Sequence, residues 1–561
     1  MPTHRSQPNP DLLSRIPLTA RVVVEIGCGD GALAAAYRLV NPNVRWYGVD
    51  GDPGAIAEAE RWMDGAACID IEAAPLPFGL PDGIDCLVYG DALQRLRDPK
   101  SVLQRHLAQL DDDGMVLICV PNLEHWSFAE RLLRGTWAYE QSGLFDRTHL
   151  RWFTVDTMRQ DLLELGLAPC DVHPRVFAPD AARRFTAAIA PALAALGIDQ
   201  DQYLRRALPL QYVWRARKTP RQRLIVGGNM LEPVGGVSHV RVVHPLAALG
   251  TDPSVTTQVM TAIEETPAGD TTPRIFVLHR PALSGERGVG ILQALISNNW
   301  LVVTEFDDHP DHFPALRDGG HLTFRGVHAV QTSTPTLAAV LRQRNPEVAV
   351  FPNALTALPE PRNFADFGRL TLFFGALNRE PDWQPLMPVL NEVARGAGER
   401  LRFEVVHDRL FFEALETPHK RFTPTCDYET YMSLLGGSEI SLMPLGDTTF
   451  NRSKSDLKFI EAGACRVVSV ASPIVYADSI VDGETGLLFR DAEELRGHLL
   501  RLLALPERAL AIGEAARRYV AGNRMLAYQV ADRIAWYRSL WARREELSAA
   551  LSRRLAAGTG G

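Results

Sequence analysis

Short apolar runs, each followed by a stretch with helical spacing, recur along most of the chain and restrict its folding more than any other feature. From about Arg21 to Val120 they read RVVVEIG, VRWYGVD, IDCLVYG and GMVLICV. A second series opens at RLIVGG and continues through RIFVLH, WLVVTEFD, VHAVQTS, VAVFPN, LTLFFG, RFEVVHD, EISLMPL and RVVSVAS. Such alternation builds parallel βαβ units, so the expected fold class is α/β. At 561 residues the chain is too long for one core, and roughly 100–200 residues per domain predicts three or four core-forming units. WRARKTPRQRL, basic and without an apolar period, predicts a linker near residues 216–222. Pro-rich sequence from Pro352 to Arg369 divides the second series. The expectation is a domain over residues 10–215, then lobes over 223–352 and 368–545.

The balance of residues excludes several partners. With 46% hydrophobic and 22% charged residues and a net charge of -8, the chain has no cationic footprint for nucleic acid. The start, MPTHRSQPNPDLLSRIP, lacks the apolar run of ~7–15 residues of a secretory signal. No apolar stretch reaches the ~18 residues of a spanning helix, so a cytoplasmic location is expected. The seven cysteines are scattered without a CxxC pair, so neither a disulfide framework nor a metal site is expected.

The run VVVEIGCGDG sets a hydrophobic strand directly before Gly27, Gly29 and Gly31 and an Ala-rich helical stretch directly after them. Glycines at such a turn let the main chain approach a ligand closely, with the next helix's N-terminus facing it. About twenty residues on, the second strand ends in Gly48-Val49-Asp50, where a carboxylate can accept from both hydroxyls of a ribose. Cys68-Ile69-Asp70 follows and offers a carboxylate to an exocyclic amine.

In this order the pieces resemble the class I S-adenosylmethionine-dependent methyltransferases. The resemblance implies a Rossmann-like domain in which Gly27, Gly29 and Gly31 surround the methionine moiety, Asp50 binds ribose and Asp70 contacts adenine. It also implies that Glu25 orients the loop or the cofactor's amino group. Phosphate or dinucleotide binding is the competing reading, but the loop lacks the Lys-Ser/Thr of a P-loop. Further on, VPNLEHWSFAERLLRGTWAYEQSGLFDRTHLRWFT resembles the subgroup found in bacterial surface-glycan pathways. That subgroup's Asp-x-Leu-Glu-His segment reads Asp91-Ala92-Leu93-Gln94-Arg95 here, which leaves His149 as the candidate general base for methyl transfer to a sugar hydroxyl. Asp146 and Arg147 are expected to hold that segment. Trp126, Trp137, Tyr139 and Trp152 offer either sugar-stacking faces or core.

FNRSKSDLKFIEAGACRVVSVASPIVYADSIVDGETGLLF places a helix carrying Lys454, Lys458 and Glu461 before a buried strand. This layout resembles the C-terminal lobe of GT-B glycosyltransferases, especially the retaining group with a Glu-x7-Glu motif. The resemblance implies a nucleotide-sugar donor with its diphosphate at the helix start and its ribose on Glu461. The position matching the first glutamate holds Ser453. Lys454 is the candidate catalytic cation, and with Lys458 it would stabilise a departing nucleoside diphosphate without a metal. Arg379 is expected to reach a phosphate and Tyr428 to contact the base. The Gly235-Gly236 turn belongs to the acceptor side, with Asp307, Asp308 and His309 as further acceptor-side candidates.

Leu526, Val530, Ile534, Tyr537 and Trp541 mark one face of a terminal helix expected to pack across the two lobes. The basic residues past Trp541 form either a solvated face or a peripheral membrane contact. The whole implies a methyltransferase joined to a glycosyltransferase in bacterial surface polysaccharide synthesis, acting on a glycan or lipid-linked glycan. The alternative is a methyltransferase whose GT-B half only binds glycan.

Overall fold

The computed structural model describes residues 7–229, 238–261, 266–267, 269–360, 362 and 368–558. It divides into two compact units, 1–222 with 251–254 and 223–250 with 255–561.

The first unit is built on seven strands: β1 (Val22–Ile26), β2 (Arg45–Asp50), β3 (Gly65–Cys68), β4 (Ile84–Tyr89), β5 (Leu110–Pro121), β6 (Ala168–Val176) and β7 (Pro209–Arg217). Their order in the sheet is β3-β2-β1-β4-β5-β7-β6, with β7 antiparallel to both neighbours. β1 is buried along its whole length, which suits its β-branched run because both faces of the sheet are covered. Val23 joins one apolar cluster while Val24 and Ile26 join the other, as the period of two requires. β7 runs to Arg217, two residues into the stretch expected to be linker, because Ala216 and Arg217 pair along β5. Strand order reverses between β1 and β4, and this opens a crevice at their carboxyl ends.

The second unit holds two parallel sheets. Its first lobe contains β8 (Leu224–Asn229), β9 (Val255–Val259), β10 (Arg274–His279), β11 (Leu301–Glu305), β12 (Ala329–Thr332) and β13 (Val348–Val350), ordered β13-β12-β11-β10-β8-β9. The second lobe contains β14 (Leu370–Gly375), β15 (Leu401–Val406), β16 (Lys420–Thr423), β17 (Ile440–Met443), β18 (Val468–Ala471) and β19 (Leu487–Leu488), ordered β16-β15-β14-β17-β18-β19. Its switch point lies between β14 and β17.

The helices Val530–Ala542 and Arg544–Gly558 return to the first lobe. Tyr537 Oη donates to Gln331 at 2.8 Å, Arg543 pairs with Glu347 at 2.9 Å, and Arg554 donates to the Val327 carbonyl at 2.7 Å. The expected boundary at 545 therefore assigns to the second lobe a segment that completes the first. Val530, Ile534, Tyr537 and Trp541 are all buried, the single face that the spacing predicts. Of the arginines past Trp541, Arg543 and Arg554 turn inward, while Arg544 and Arg553 stay exposed. Among the described residues no helix is long and apolar enough to cross a membrane.

Candidate functional site

In the first unit the glycine turn follows β1 directly. Gly27, Gly29 and Gly31 have φ of +75°, +52° and +78°, the left-handed region that glycine adopts without penalty. Their surroundings differ. A Cβ on Gly27 would lie 3.2 Å from that of Ala92, and one on Gly31 would lie 3.1 Å from Ala59 Cα, whereas one on Gly29 meets nothing within 4 Å. Gly27 and Gly31 thus serve close packing, and Gly29 leaves main chain open to a ligand. Asp50, at the end of β2, is fixed by the same turn: Gly29 N–H donates to its Oδ2 and Asp52 N–H to its Oδ1, each at 3.0 Å. Asp70 is exposed beyond β3 and accepts from Glu72 N–H at 2.9 Å. Glu25 is 5% exposed and accepts from Trp46 Nε1 at 3.1 Å. Burial pushes its carboxyl up to about 8. The open glycine, the fixed Asp50 and the exposed Asp70 fit an adenosyl cofactor laid across the strand ends.

The His149 segment is tied to the turn after β4. The Gln94 carbonyl accepts from Leu150 N–H at 2.7 Å and from Arg151 N–H at 3.0 Å, and Arg95 reaches Asp146 at 3.4 Å. The segment is therefore anchored by the main chain at Gln94 and by the side chain of Arg95, one of the two residues that depart from the subgroup pattern. Asp146 accepts from the Thr148 N–H and hydroxyl at 2.8 Å, so it is the local brace, while Arg147 is exposed. His149 Nδ1 lies 3.3 Å from the Leu144 carbonyl. A carbonyl only accepts, so Nδ1 carries the proton and Nε2 keeps its lone pair. Burial lowers the imidazole below its ordinary value, which keeps it neutral at pH 7. Trp137 and Trp152 pack around Phe128 and Phe145 in a small satellite core, Trp126 lies against Phe185, and Tyr139 is exposed.

In the second unit a cavity of about 290 Å³ opens at the switch point, between the ends of β14 (Phe374 to Leu377) and β17 (Leu442 to Leu445). Lys454, Lys458, Glu461, Arg379 and Tyr428 all line it. Lys458 and Glu461 are one turn apart on the Leu457–Ala464 helix. Lys458 Nζ donates to the Gly375 carbonyl, and burial lowers its pKa to about 8. Burial raises Glu461 to about 7, and Tyr428 Oη donates to its Oε1 at 3.0 Å. Tyr428 thus meets the expected ribose carboxylate, and its ring is stacked with His239 at 5.8 Å. Lys454 pairs with Asp308 and lies 4.2 Å from the Phe450 ring centre; burial lowers its pKa despite the partner carboxylate. Arg379 donates to Asn451 at 2.8 Å and Asp382 at 3.2 Å. Ser453 is absent from the wall. Gly235 and Gly236 lie outside the described residues.

Comparisons with known proteins agree with this division. A methyltransferase domain family matches residues 2–171, and a glycosyl transferase-like family matches residues 388–535. A trans-aconitate 2-methyltransferase of Methylobacterium nodulans is 37% identical over 134 residues, which are 23% of this chain and 50% of that protein. One from Klebsiella pneumoniae is 31% identical over 144 residues, 26% of this chain and 55% of its own. The chain spans about half the length of the curated relatives it matches. The crystal structure of Anabaena Alr3699/HepE in complex with UDP and glucose aligns at 12% identity and a TM-score of 0.43, over 56% of this chain and all of that one. The first unit therefore carries a methyltransferase domain and the second, with its two parallel-sheet lobes, a glycosyl transferase-like domain.

In the methyltransferase domain the switch point between β1 and β4 presents a sterically open glycine and a fixed carboxylate. In the glycosyltransferase domain the switch point presents three cations and a raised carboxyl inside a cavity. Asn353, His407, Tyr431 and Ser455 also line that cavity and carry no motif in the sequence. Arg280, which joins Asp307 to Asp308, had no signal either, since its partners lie 27 and 28 residues away.

Proposed function

We propose that the chain is bifunctional: the methyltransferase domain methylates a glycan hydroxyl, and the glycosyltransferase domain transfers a sugar from a nucleotide-sugar, both in building a bacterial surface polysaccharide of the O-antigen type. The cavity carries this reading. Lys454, Lys458 and Arg379 on one wall, with Glu461 among them, suit a nucleoside diphosphate, whose charge grows on the leaving oxygens as the glycosidic bond to phosphate breaks. Glu461 would accept from the ribose hydroxyls once Tyr428 yields.

In the methyltransferase domain Gly29, Asp50, Asp70 and Glu25 would hold S-adenosylmethionine, which supplies an electrophilic methyl group. The trans-aconitate enzymes are named for a carboxylic acid, a nucleophile already ionised at pH 7. A hydroxyl is not, so a neutral His149 with a free Nε2 lone pair supports an alcohol acceptor.

Calorimetry on the full chain tests both halves. S-adenosylhomocysteine and one of uridine, guanosine or thymidine diphosphate are expected to bind independently and without added metal. Asp50→Ala should weaken the first by about 1–3 kcal/mol, as for loss of a charged hydrogen-bond partner, and leave the second unchanged. Glu461→Ala should do the reverse. Absence of any heat with all three diphosphates would leave a methyltransferase with a glycan-binding module. Methylation of trans-aconitate but of no polysaccharide would overturn the hydroxyl assignment.

A further inference from the structure

The position that matches the first motif glutamate holds a serine, and this serine faces away from the chemistry. Ser453 is 2% exposed, and its hydroxyl donates to the Thr449 carbonyl at 3.1 Å, closing the short Thr449–Arg452 helix. The carboxylates that approach Lys454 come instead from the first lobe. Asp308 pairs with Lys454, and Asp307 beside it, just past the end of β11, lines the cavity. Arg280 holds both, with Nε donating to Asp307 Oδ1 and Nη2 to Asp308 Oδ2, each at 2.6 Å. Its backbone stands at φ +47°, a region that a side-chain-bearing residue adopts only against a steric cost and that clusters at functional sites. Asp307 Oδ2 receives no hydrogen bond from any described residue. The loop after β11 also packs on the segment that leads to Lys454, where His312 stacks on Phe450 at 4.0 Å, and Asn353, just past β13, donates from Nδ2 to Ser455 Oγ at 2.7 Å.

We propose that Asp307 takes the place of the missing motif carboxylate, accepting a hydrogen bond from a hydroxyl of the donor's sugar, with Arg280 as its positioning residue. This rests on reading the cavity as a nucleotide-sugar site. A carboxylate only accepts, so the sugar group that faces it must donate, as a hydroxyl or an amide N–H does. A uronic acid carboxylate facing Asp307 would meet it as a like charge. The donor class is therefore a neutral hexose or an N-acetylhexosamine.

The test compares full-length wild type with Asp307→Asn and Asp307→Ala by calorimetry, using uridine diphosphate, its glucose, N-acetylglucosamine and glucuronate forms, guanosine diphosphate and its mannose form. The readout is the ratio of the sugar-nucleotide Kd to the bare-diphosphate Kd. Both variants should bind the bare diphosphate within about twofold of wild type, which also shows that they fold. The ratio for the preferred neutral sugar should rise about tenfold in Asp307→Ala, less in Asp307→Asn, and sugar transfer should slow at least as much. An unchanged ratio in both variants overturns the assignment, as does tighter binding of the glucuronate form than of the glucose form by wild type. Failure of wild type to bind any nucleotide would instead remove the nucleotide-sugar reading, and this assignment with it.

Discussion

In the methyltransferase domain the candidate site residues run only from Glu25 to Asp70, and the glycine turn shapes the site through main chain, left open at Gly29. In the glycosyltransferase domain the cavity wall is drawn from Asp307 to Tyr476, and side-chain charge shapes it. A surface made of main chain keeps its form through local turns, and its weak point is backbone conformation. A surface made of opposed buried charges keeps its form only while each charge has its partner, so its weak points are pairings and protons.

The strongest way to break this comparison is to remove one reacting group from each side. His149→Ala should slow methyl transfer ~10²–10⁴-fold, as for a lost general base, with S-adenosylhomocysteine affinity kept. Lys454→Ala should slow sugar transfer ~10²–10³-fold and weaken diphosphate binding less, because its charge acts most as the diphosphate departs. Each variant should leave the other activity intact. A variant that abolished both would show that the sites are coupled and the contrast misplaced.

Alanine in place of glycine sharpens it on a smaller scale. At Gly513 a Cβ would lie 2.1 Å from the Arg466 carbonyl oxygen. The Glu507–Asn523 helix must then move off the helix that carries Lys458 and Glu461. Gly513→Ala should cost about 1–3 kcal/mol of stability in a denaturation midpoint and weaken diphosphate binding as well. Gly29→Ala meets no atom and should cost about 1–2 kcal/mol through its left-handed φ, with the loss seen in cofactor affinity. Equal effects of both variants on diphosphate binding would contradict the distinction.

The smallest expected effect is a difference in pH response. Glu461 must lose its proton to accept two hydroxyl bonds, and does so above about 7; Lys458 must keep its proton, and does so below about 8. With Tyr428, Arg379 and Lys454 facing the same pair, diphosphate affinity should peak between those values and fall several-fold on either side. Glu25 titrates at about 8 in the free protein. The ammonium of S-adenosylhomocysteine would favour its ionised form, so binding at pH 7 should release protons, and affinity should rise toward pH 8 and level off. Calorimetry in buffers of different ionisation enthalpy reads this directly.

The same contrast explains how much could be read from residues alone. The glycine turn and the strand-end carboxylates of the first site are contiguous pieces of pattern. Lys454, Lys458, Glu461, Arg379 and Tyr428 were also legible through one motif and its flanks, and all five face one cavity. What joins Lys454 to Asp308 spans 146 residues, and what joins Tyr428 to Glu461 spans 33; neither pairing leaves a local trace. Strands β9 and β16 escaped because they sit at sheet edges with most residues at least partly exposed, so the apolar run that marks a central strand is missing. β7 was hidden by its charged end, where Arg215 and Arg217 are buried in ion pairs that composition reads as surface.

The return of residues 530–558 to the first lobe of the glycosyltransferase domain sets an order of events during synthesis. That lobe's last strand ends at Val350, and the helices that cover Phe351 and Gln331 begin at Val530. A ribosome adding ~5–20 residues per second needs on the order of ten to forty seconds to deliver what lies between. The methyltransferase domain can close its sheet as soon as β7 emerges. The first glycosyltransferase lobe must wait, its apolar flank uncovered, until the second has been made, and that interval is when a chaperone would be expected to hold the nascent chain.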